Sequence, residues 1–286
     1  MAEKTTVKIL GVSGSPRRNA NTTLAVKYAL KDAEALDFVE ATDFIALADL
    51  NLKPCTGCMK CFGWRAPAED EEFECYESHD DSAMVMKKMK WCDGLIFGVP
   101  VYNQGVPALA KIIMEKAHCF GPWSFTRNAG AMMYKALAPL VVGATDFSGQ
   151  GNVLTQVKLW GLNMGMIPSI ERPRYPYRLP FRGEQLTTAY GRTVYDADAI
   201  TKESSRIIPP LLGAKNMRGV GSAGINVAIR ALWIKAGLRA IKELGIKIPP
   251  QHLFKKYNIM PEKGSYVEKL VLEGKLELVD PAVPKF

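Results

Sequence analysis

Four cysteines crowd into 21 residues of this chain: Cys55, Cys58 and Cys61 at C-x-x-C-x-x-C spacing, then Cys75 beyond the 13-residue stretch FGWRAPAEDEEFE. Thiolates three apart in a turn-rich loop point to a common locus, the compact spacing that bacterial ferredoxins use for an iron-sulfur cluster with one more cysteine as the fourth ligand. Cys75 is the natural fourth. An all-thiolate tetrahedron for zinc needs the same four residues, and so does a set of redox-active thiols. Three chemistries therefore stand open: a [4Fe-4S] centre, a zinc site and free thiols. The carboxylates between Cys61 and Cys75 (Glu69, Asp70, Glu71, Glu72 and Glu74) read as a solvated surface. Cys92 and Cys119 lie alone and read as buried apolar residues.

A second group of side chains points to anion binding. Residues 11–23 run GVSGSPRRNANTT, between an apolar strand and a helix start. A helix N-terminus offers unpaired N–H groups and the positive end of a dipole. Ser15, Thr22 and Thr23 add hydroxyls, Asn21 an amide and Arg17 a guanidinium, which completes a cage of donors around a phosphate. No G-x-x-x-x-G-K-[ST] occurs here, nor G-x-G-x-x-G, so a nucleoside triphosphate or a Rossmann-type dinucleotide does not suit this loop. A terminal monophosphate does. His79, His118 and His252 are scattered without triad or metal spacing, and no catalytic acid, base or nucleophile stands out.

Both groups need a scaffold, and the hydropathy pattern supplies one. Strands are predicted at 7–12, 38–47, 94–99, 138–142 and 164–170. Helices are predicted at 22–34, 82–91 (with Ser82 as N-cap), 107–116 and 152–162. Strands alternating with helices at this spacing imply parallel β-α-β units with helices on both faces. The expectation is an α/β fold, a doubly wound five-stranded parallel sheet in the flavodoxin-like order 2-1-3-4-5, where FMN sits at the carboxyl ends of the strands beside the switch point. One domain is expected over residues 4–245, with its core at 4–170, a cysteine-rich loop at 51–80 and closing helices within 195–244, including 195–208 and 220–244. A C-terminal extension follows at 246–286. Between core and closing helices, residues 171–182 (ERPRYPYRLPFR) hold three prolines, four arginines and three aromatics, an irregular connection suited to an anionic partner or to an arm on a neighbouring subunit.

With 286 residues, 48% hydrophobic and 23% charged, the chain is neither disordered nor fibrous. The net charge of +8 is uneven, about −2 over residues 1–150 and about +10 over 151–286. No zinc-finger spacing, RNP-like motif or lysine tail accompanies that basic half, so no nucleic-acid partner is expected. The N-terminus lacks an apolar signal region, and no run of about 18 apolar residues occurs. A cytoplasmic protein with no membrane association is expected.

The strings GSPRRNANTT, CTGCMKC, CYESHDD and WCDGLIFGVPVYNQGVPALAKIIMEK, in that order, resemble the NADPH-dependent FMN reductase superfamily and, within it, the iron-sulfur flavoproteins. The resemblance covers about residues 5–165. It implies that Ser15, Arg17, Asn21, Thr22 and Thr23 hold the FMN phosphate, that Pro100, Val101, Tyr102 and Asn103 lie along the isoalloxazine ring, and that Thr145, Gly149 and Gln150 belong to a third flavin loop. It also implies that Cys55, Cys58, Cys61 and Cys75 hold a [4Fe-4S] cluster, although the gap before Cys75 is longer than the family's usual one. The activity implied is an FMN-containing oxidoreductase. NAD(P)H or ferredoxin would be the electron donor and a quinone, flavin or other small oxidant the acceptor, in a homodimer or homotetramer. A non-enzymatic electron carrier between protein partners is the alternative.

Overall fold

The computed structural model describes residues 4–58, 61, 75, 80–122, 124, 128–143, 149–169, 185–187 and 213–246. Its centre is a parallel sheet of β1 (Val7–Ser13), β2 (Val39–Ala46), β3 (Gly94–Pro100), β4 (Ala136–Gly143) and the two-residue β5 (Ile167–Pro168), in the order β2-β1-β3-β4-β5. This is the flavodoxin-like order. Around it stand α1 (Asn21–Glu34), α2 (Ser82–Trp91), α3 (Ala108–Lys116), α4 (Gln150–Asn163) and α5 (Gly213–Glu243).

Alternation along the strands decides which helix goes where. Leu10 and Val12 of β1, Leu95, Phe97 and Val99 of β3, and Leu137 and Val141 of β4 face one side, where α2, α3 and α4 supply Met86, Ile113 and Val157. Val7, Ile9, Ile96 and the alanines at 136 and 138 face the other, against α1 and α5. Both faces are covered, which is why β3 and β4 read as unbroken apolar runs. On the first face the Trp160 indole N–H donates to Met114 O at 3.0 Å, tying α4 to α3.

Most bounds fall within two residues of expectation, and four differences stand out. The fifth strand is Ile167–Pro168 instead of 164–170, because it covers only Ala136 and Leu137 of β4; β6 (Gln185–Thr187) pairs in parallel with Val141, Val142 and Gly143 instead. Two short strands thus share one edge. Helix α5 starts at Gly213 instead of 220, through glycines that disfavour helix. Further along the helix packing outweighs propensity: a Cβ on Gly224 would stand 1.8 Å from Ala29 O, so only glycine lets α5 lie this close to α1 there. Pro107 sits at the N-cap of α3, one residue outside the helix it was expected to begin. Ser82 is the first residue of α2 and not its cap, since the Asp80 carboxylate accepts the Ser82 N–H at 3.0 Å. The expected helix at 195–208, the segment 171–182 and the extension beyond 246 lie outside the described residues.

Candidate functional site

Because the strands are parallel, the segments after β1, β3 and β4 emerge side by side at one edge of the sheet, β1 next to β3 and β3 next to β4. The first is the donor-rich loop. Ser15 is buried and its hydroxyl accepts the Arg17 N–H at 3.1 Å and donates to the Arg17 carbonyl at 3.2 Å, folding the loop on itself. Asn19 takes a positive φ of 50°, a conformation asparagine tolerates better than most residues. Thr22 and Thr23 are buried in the first turn of α1, and the Thr23 hydroxyl pairs with that of Ser13 at 2.9 Å. Asn21 is half-buried and Arg17 exposed.

The N-cap of α1 is Ala20, which has no capping hydroxyl, and the first turn contains no acidic residue. Its N–H groups thus keep their affinity for an external anion. This arrangement fits a terminal phosphate, with Ser15 shaping the loop and Thr23 bracing the helix start against β1.

The second loop has a sharper geometry. After Pro100, the Val101 N–H donates to Val142 O at 2.8 Å, extending the β3–β4 ladder by one residue. Tyr102 and Gly105 then exchange two backbone hydrogen bonds of 2.9 and 3.1 Å around Asn103 and Gln104, whose φ values are 45° and 61°. Positive φ at both central residues defines a two-residue type I′ turn. It leaves the Tyr102 side chain exposed at the rim.

The third loop meets the second. Gly149, the N-cap of α4, has a φ of 103°, and a Cβ there would stand 2.6 Å from the Gln104 Cα. Glycine is required twice over, for the backbone angle and for the contact that props the turn. Gln150 is buried beside it. Thr145 lies outside the described residues.

The cysteines are held differently. Cys55 and Cys58 are exposed, whereas Cys61 and Cys75 are half-buried and pack on the same core cluster as Val101 and Val106 of the second loop. Among the described residues no three Cys, His, Asp or Glu side chains stand ready-made around a metal ion. All four thiols nevertheless share one electrostatic neighbourhood. Partial burial pushes the Cys61 thiol up to about 11, and the charges of Cys75, Cys55 and Cys58 push it the same way. Thiols this near one another suit a cationic centre, which would favour their deprotonated, ligating form. Cys92 and Cys119 are buried as expected; burial above all pushes Cys92 up to about 12, far from any thiolate chemistry at neutral pH.

One cluster was not anticipated from the sequence. The Lys116 ammonium and the Asp80 carboxylate meet at 2.7 Å with neither side chain exposed. Burial would raise the Asp80 pKa, but hydrogen bonds from Lys116, from the Ser82 hydroxyl and from the N–H groups of Lys53 and Ser82 reverse this and hold it at about 2. Next to it the Asp81 carboxylate accepts the Asn51 N–H at 2.7 Å, while the Asp81 N–H donates to Asn51 O at 3.1 Å. The two aspartates close the base of the cysteine loop. Adjacent acids ahead of a helix were the available sequence cue; beside Lys111 and Glu115, nothing in ALAKIIMEK marks Lys116 as the buried lysine.

Residues 7–171 match the protein family described as NADPH-dependent FMN reductase. An iron-sulfur flavoprotein of Methanocaldococcus jannaschii is 38% identical over 161 residues, which are 56% of this chain and 75% of that protein. An iron-sulfur flavoprotein of Methanosarcina thermophila is 29% identical over 161 residues, 56% of this chain and 76% of its own. Among solved structures, RosB with bound 8-demethyl-8-formylriboflavin-5'-phosphate matches at a TM-score of 0.52 and 13% identity, covering 94% of this chain and 87% of RosB. That likeness concerns the fold alone.

Proposed function

The chain belongs to the NADPH-dependent FMN reductase family, as a member of iron-sulfur flavoprotein type, and from that premise we propose that it carries FMN at the three-loop edge and a [4Fe-4S] cluster on Cys55, Cys58, Cys61 and Cys75. Electrons would enter from NAD(P)H or ferredoxin and leave to a quinone, flavin or other small oxidant. The observation that carries the FMN reading is the uncapped, acid-free N-terminus of α1 beneath a loop closed by Ser15. The C-x-x-C-x-x-C spacing, with Cys61 and Cys75 packed on one core cluster, carries the cluster reading.

Bound FMN would supply hydride and single-electron chemistry, which is why the chain needs no catalytic triad. The protein's own share is placement. Ser15, Arg17, Asn21, Thr22 and Thr23 would receive the phosphate. Pro100, Val101, Tyr102 and Asn103 would lie along the ring, with backbone groups of the turn available to its polar edge. Gly149 keeps that turn from shifting, and Thr145, Gly149 and Gln150 would belong to the third flavin loop. Cys61 and Cys75 sit on the core cluster that also supports the ring-side loop, so the two centres would share a rigid foundation.

Exposure of Cys55 and Cys58 supports a second reading, a non-enzymatic carrier that exchanges electrons with a protein docked at the cysteine loop. Assembly as a homodimer or homotetramer, and a flavodoxin-like domain spanning 4–245 with an appended 246–286, belong to the same proposal. No helix among the described residues is long and apolar enough to cross a membrane.

The deciding experiment is an anaerobic purification with a visible spectrum and analysis of flavin, iron and sulfide. About one FMN and about four iron and four sulfide per chain are expected; flavin bands without iron overturn the cluster, and absence of flavin overturns the whole reading. Steady-state oxidation of NADPH or NADH with a quinone supports the enzyme. Rapid reduction by ferredoxin without nicotinamide turnover supports the carrier.

A further inference from the structure

We propose that the buried Asp80–Lys116 pair is a positioning joint, one that pins both ends of the cysteine loop to helix α3 so that its thiols converge beside the flavin-side loops. This rests on the reading of the four cysteines as metal ligands.

Three pieces of chain meet at the joint. The Asp80 Oδ2 accepts the Lys116 ammonium at 2.7 Å and the Lys53 N–H at 2.6 Å, and its Oδ1 accepts the Ser82 N–H at 3.0 Å together with the Ser82 hydroxyl. Lys116 donates a further hydrogen bond to the Ser82 Oγ at 3.1 Å. Lys53 stands two residues before Cys55, and Asp80 five residues after Cys75. The entry to the loop, its exit and the last turn of α3 are thereby fastened to one carboxylate.

Helix α3 carries that constraint toward the flavin side. It begins directly after the Tyr102–Gly105 turn, and its Ala110 packs against Gly14 of the phosphate loop. Lys116 lies about 9 Å further along the helix axis, so a single rigid rod spans both regions. Such a buried pair adds little stability over two well-packed apolar side chains of the same size. It does add direction, since a hydrogen-bonded carboxylate tolerates less displacement than an apolar contact. A joint that sets geometry is the role that makes use of this property.

The test compares wild type with Lys116→Met, with Asp80→Leu/Lys116→Met, which removes both buried charges, and with the milder Ser82→Ala. Folding is checked by circular dichroism. Iron is then counted after anaerobic purification, and Co2+ affinity of the metal-free protein is read from thiolate-to-cobalt absorption. The double variant is expected to keep its fold and hold FMN within about threefold of wild type, while losing at least fivefold in iron and tenfold in Co2+ affinity. Ser82→Ala is expected to lose two- to threefold in Co2+ affinity. A folded double variant with wild-type iron and Co2+ binding overturns the joint; should that variant not fold, unchanged Co2+ binding in Ser82→Ala does so. Wild-type protein that binds no Co2+ through its thiolates overturns the joint together with the ligand reading. If wild type binds Co2+ but is purified without iron, only the iron-sulfur reading falls, and the expected Co2+ losses in the variants support the joint.

Discussion

The phosphate loop and the cysteine loop follow β1 and β2, neighbouring parallel strands, so both start from the same edge of the sheet, yet they are built on opposite plans. In the phosphate loop the hydroxyl of Ser15 closes the backbone on itself and Ser13 braces Thr23 in a buried contact. In the cysteine loop the fastening is at the base, through Asp80 and Asp81, while Cys55 and Cys58 stand in solvent. The first loop is preorganised by the chain; the second has fixed ends and, on the proposed reading, would be completed by the metal centre it binds. A phosphate cradle built on a sheet and a metal site whose ligands assemble on binding would differ in just this way.

The sharpest way to break this contrast is Cys61→Ser. Iron is expected to fall below about a tenth of wild type, since a compact cluster does not survive the loss of one of its thiolate ligands, while FMN content stays unchanged; joint loss of both cofactors in iron and flavin assays would show that the two sites do not assemble separately. Gly149→Val comes next. It places a side chain at a φ of 103°, a strain of about 1–2 kcal/mol, and drives a Cβ into the Gln104 backbone. FMN affinity, measured by quenching of flavin fluorescence, is expected to weaken about tenfold or more, with iron retained.

Acid tests the base of the cysteine loop. Asp80 is held at about 2 in the fold against an ordinary value of 3.8, so its contribution to stability is fully present above about pH 4 and is lost as the pH falls toward 2. The thermal midpoint should drop over that window, and the drop should be smaller in Asp80→Leu/Lys116→Met. An equal drop in both proteins would place the acid sensitivity elsewhere. Smallest is Ser15→Ala, which deletes hydrogen bonds worth about 1 kcal/mol. It is expected to weaken FMN about fivefold without changing iron; a change confined to iron would reverse the assignment of the two loops.

Much of the frame was legible because periodicity is a local property. Helix α2 begins and ends where the apolar positions Val85, Met86 and Met89 put it, and β3 stands where an unbroken apolar run implied a strand covered on both faces. The short fifth strand was not legible, since β5 and β6 divide between them the edge of β4, and nothing within residues 164–170 encodes where a distant strand takes over. The early start of α5 was hidden by its glycines. Read alone they argue against a helix, and for Gly224 only the approach to Ala29 shows the use.

The candidate site divides along the same line. The donors of the phosphate loop and the spacing of Cys55, Cys58 and Cys61 are legible because each set lies within a few residues and advertises its chemistry by type alone. The type I′ turn at Asn103 and Gln104 was not, for neither residue is the glycine such a turn prefers, and the prop supplied by Gly149 comes from 45 residues away.

By itself the sequence determined the alternation of strands and helices, the donor-rich make-up of the first loop and the compact cysteine spacing of the second, all of them properties of residues a few covalent bonds apart. Tertiary structure alone decided that Lys116 would be buried against Asp80, 36 positions earlier, that Gly149 would prop the turn after β3, and that Cys61 and Cys75 would rest on the core beneath that turn. Those contacts exist only once helices pack on a common sheet face, because hydrogen bonds and packing act over a few ångströms of space whatever the separation along the chain.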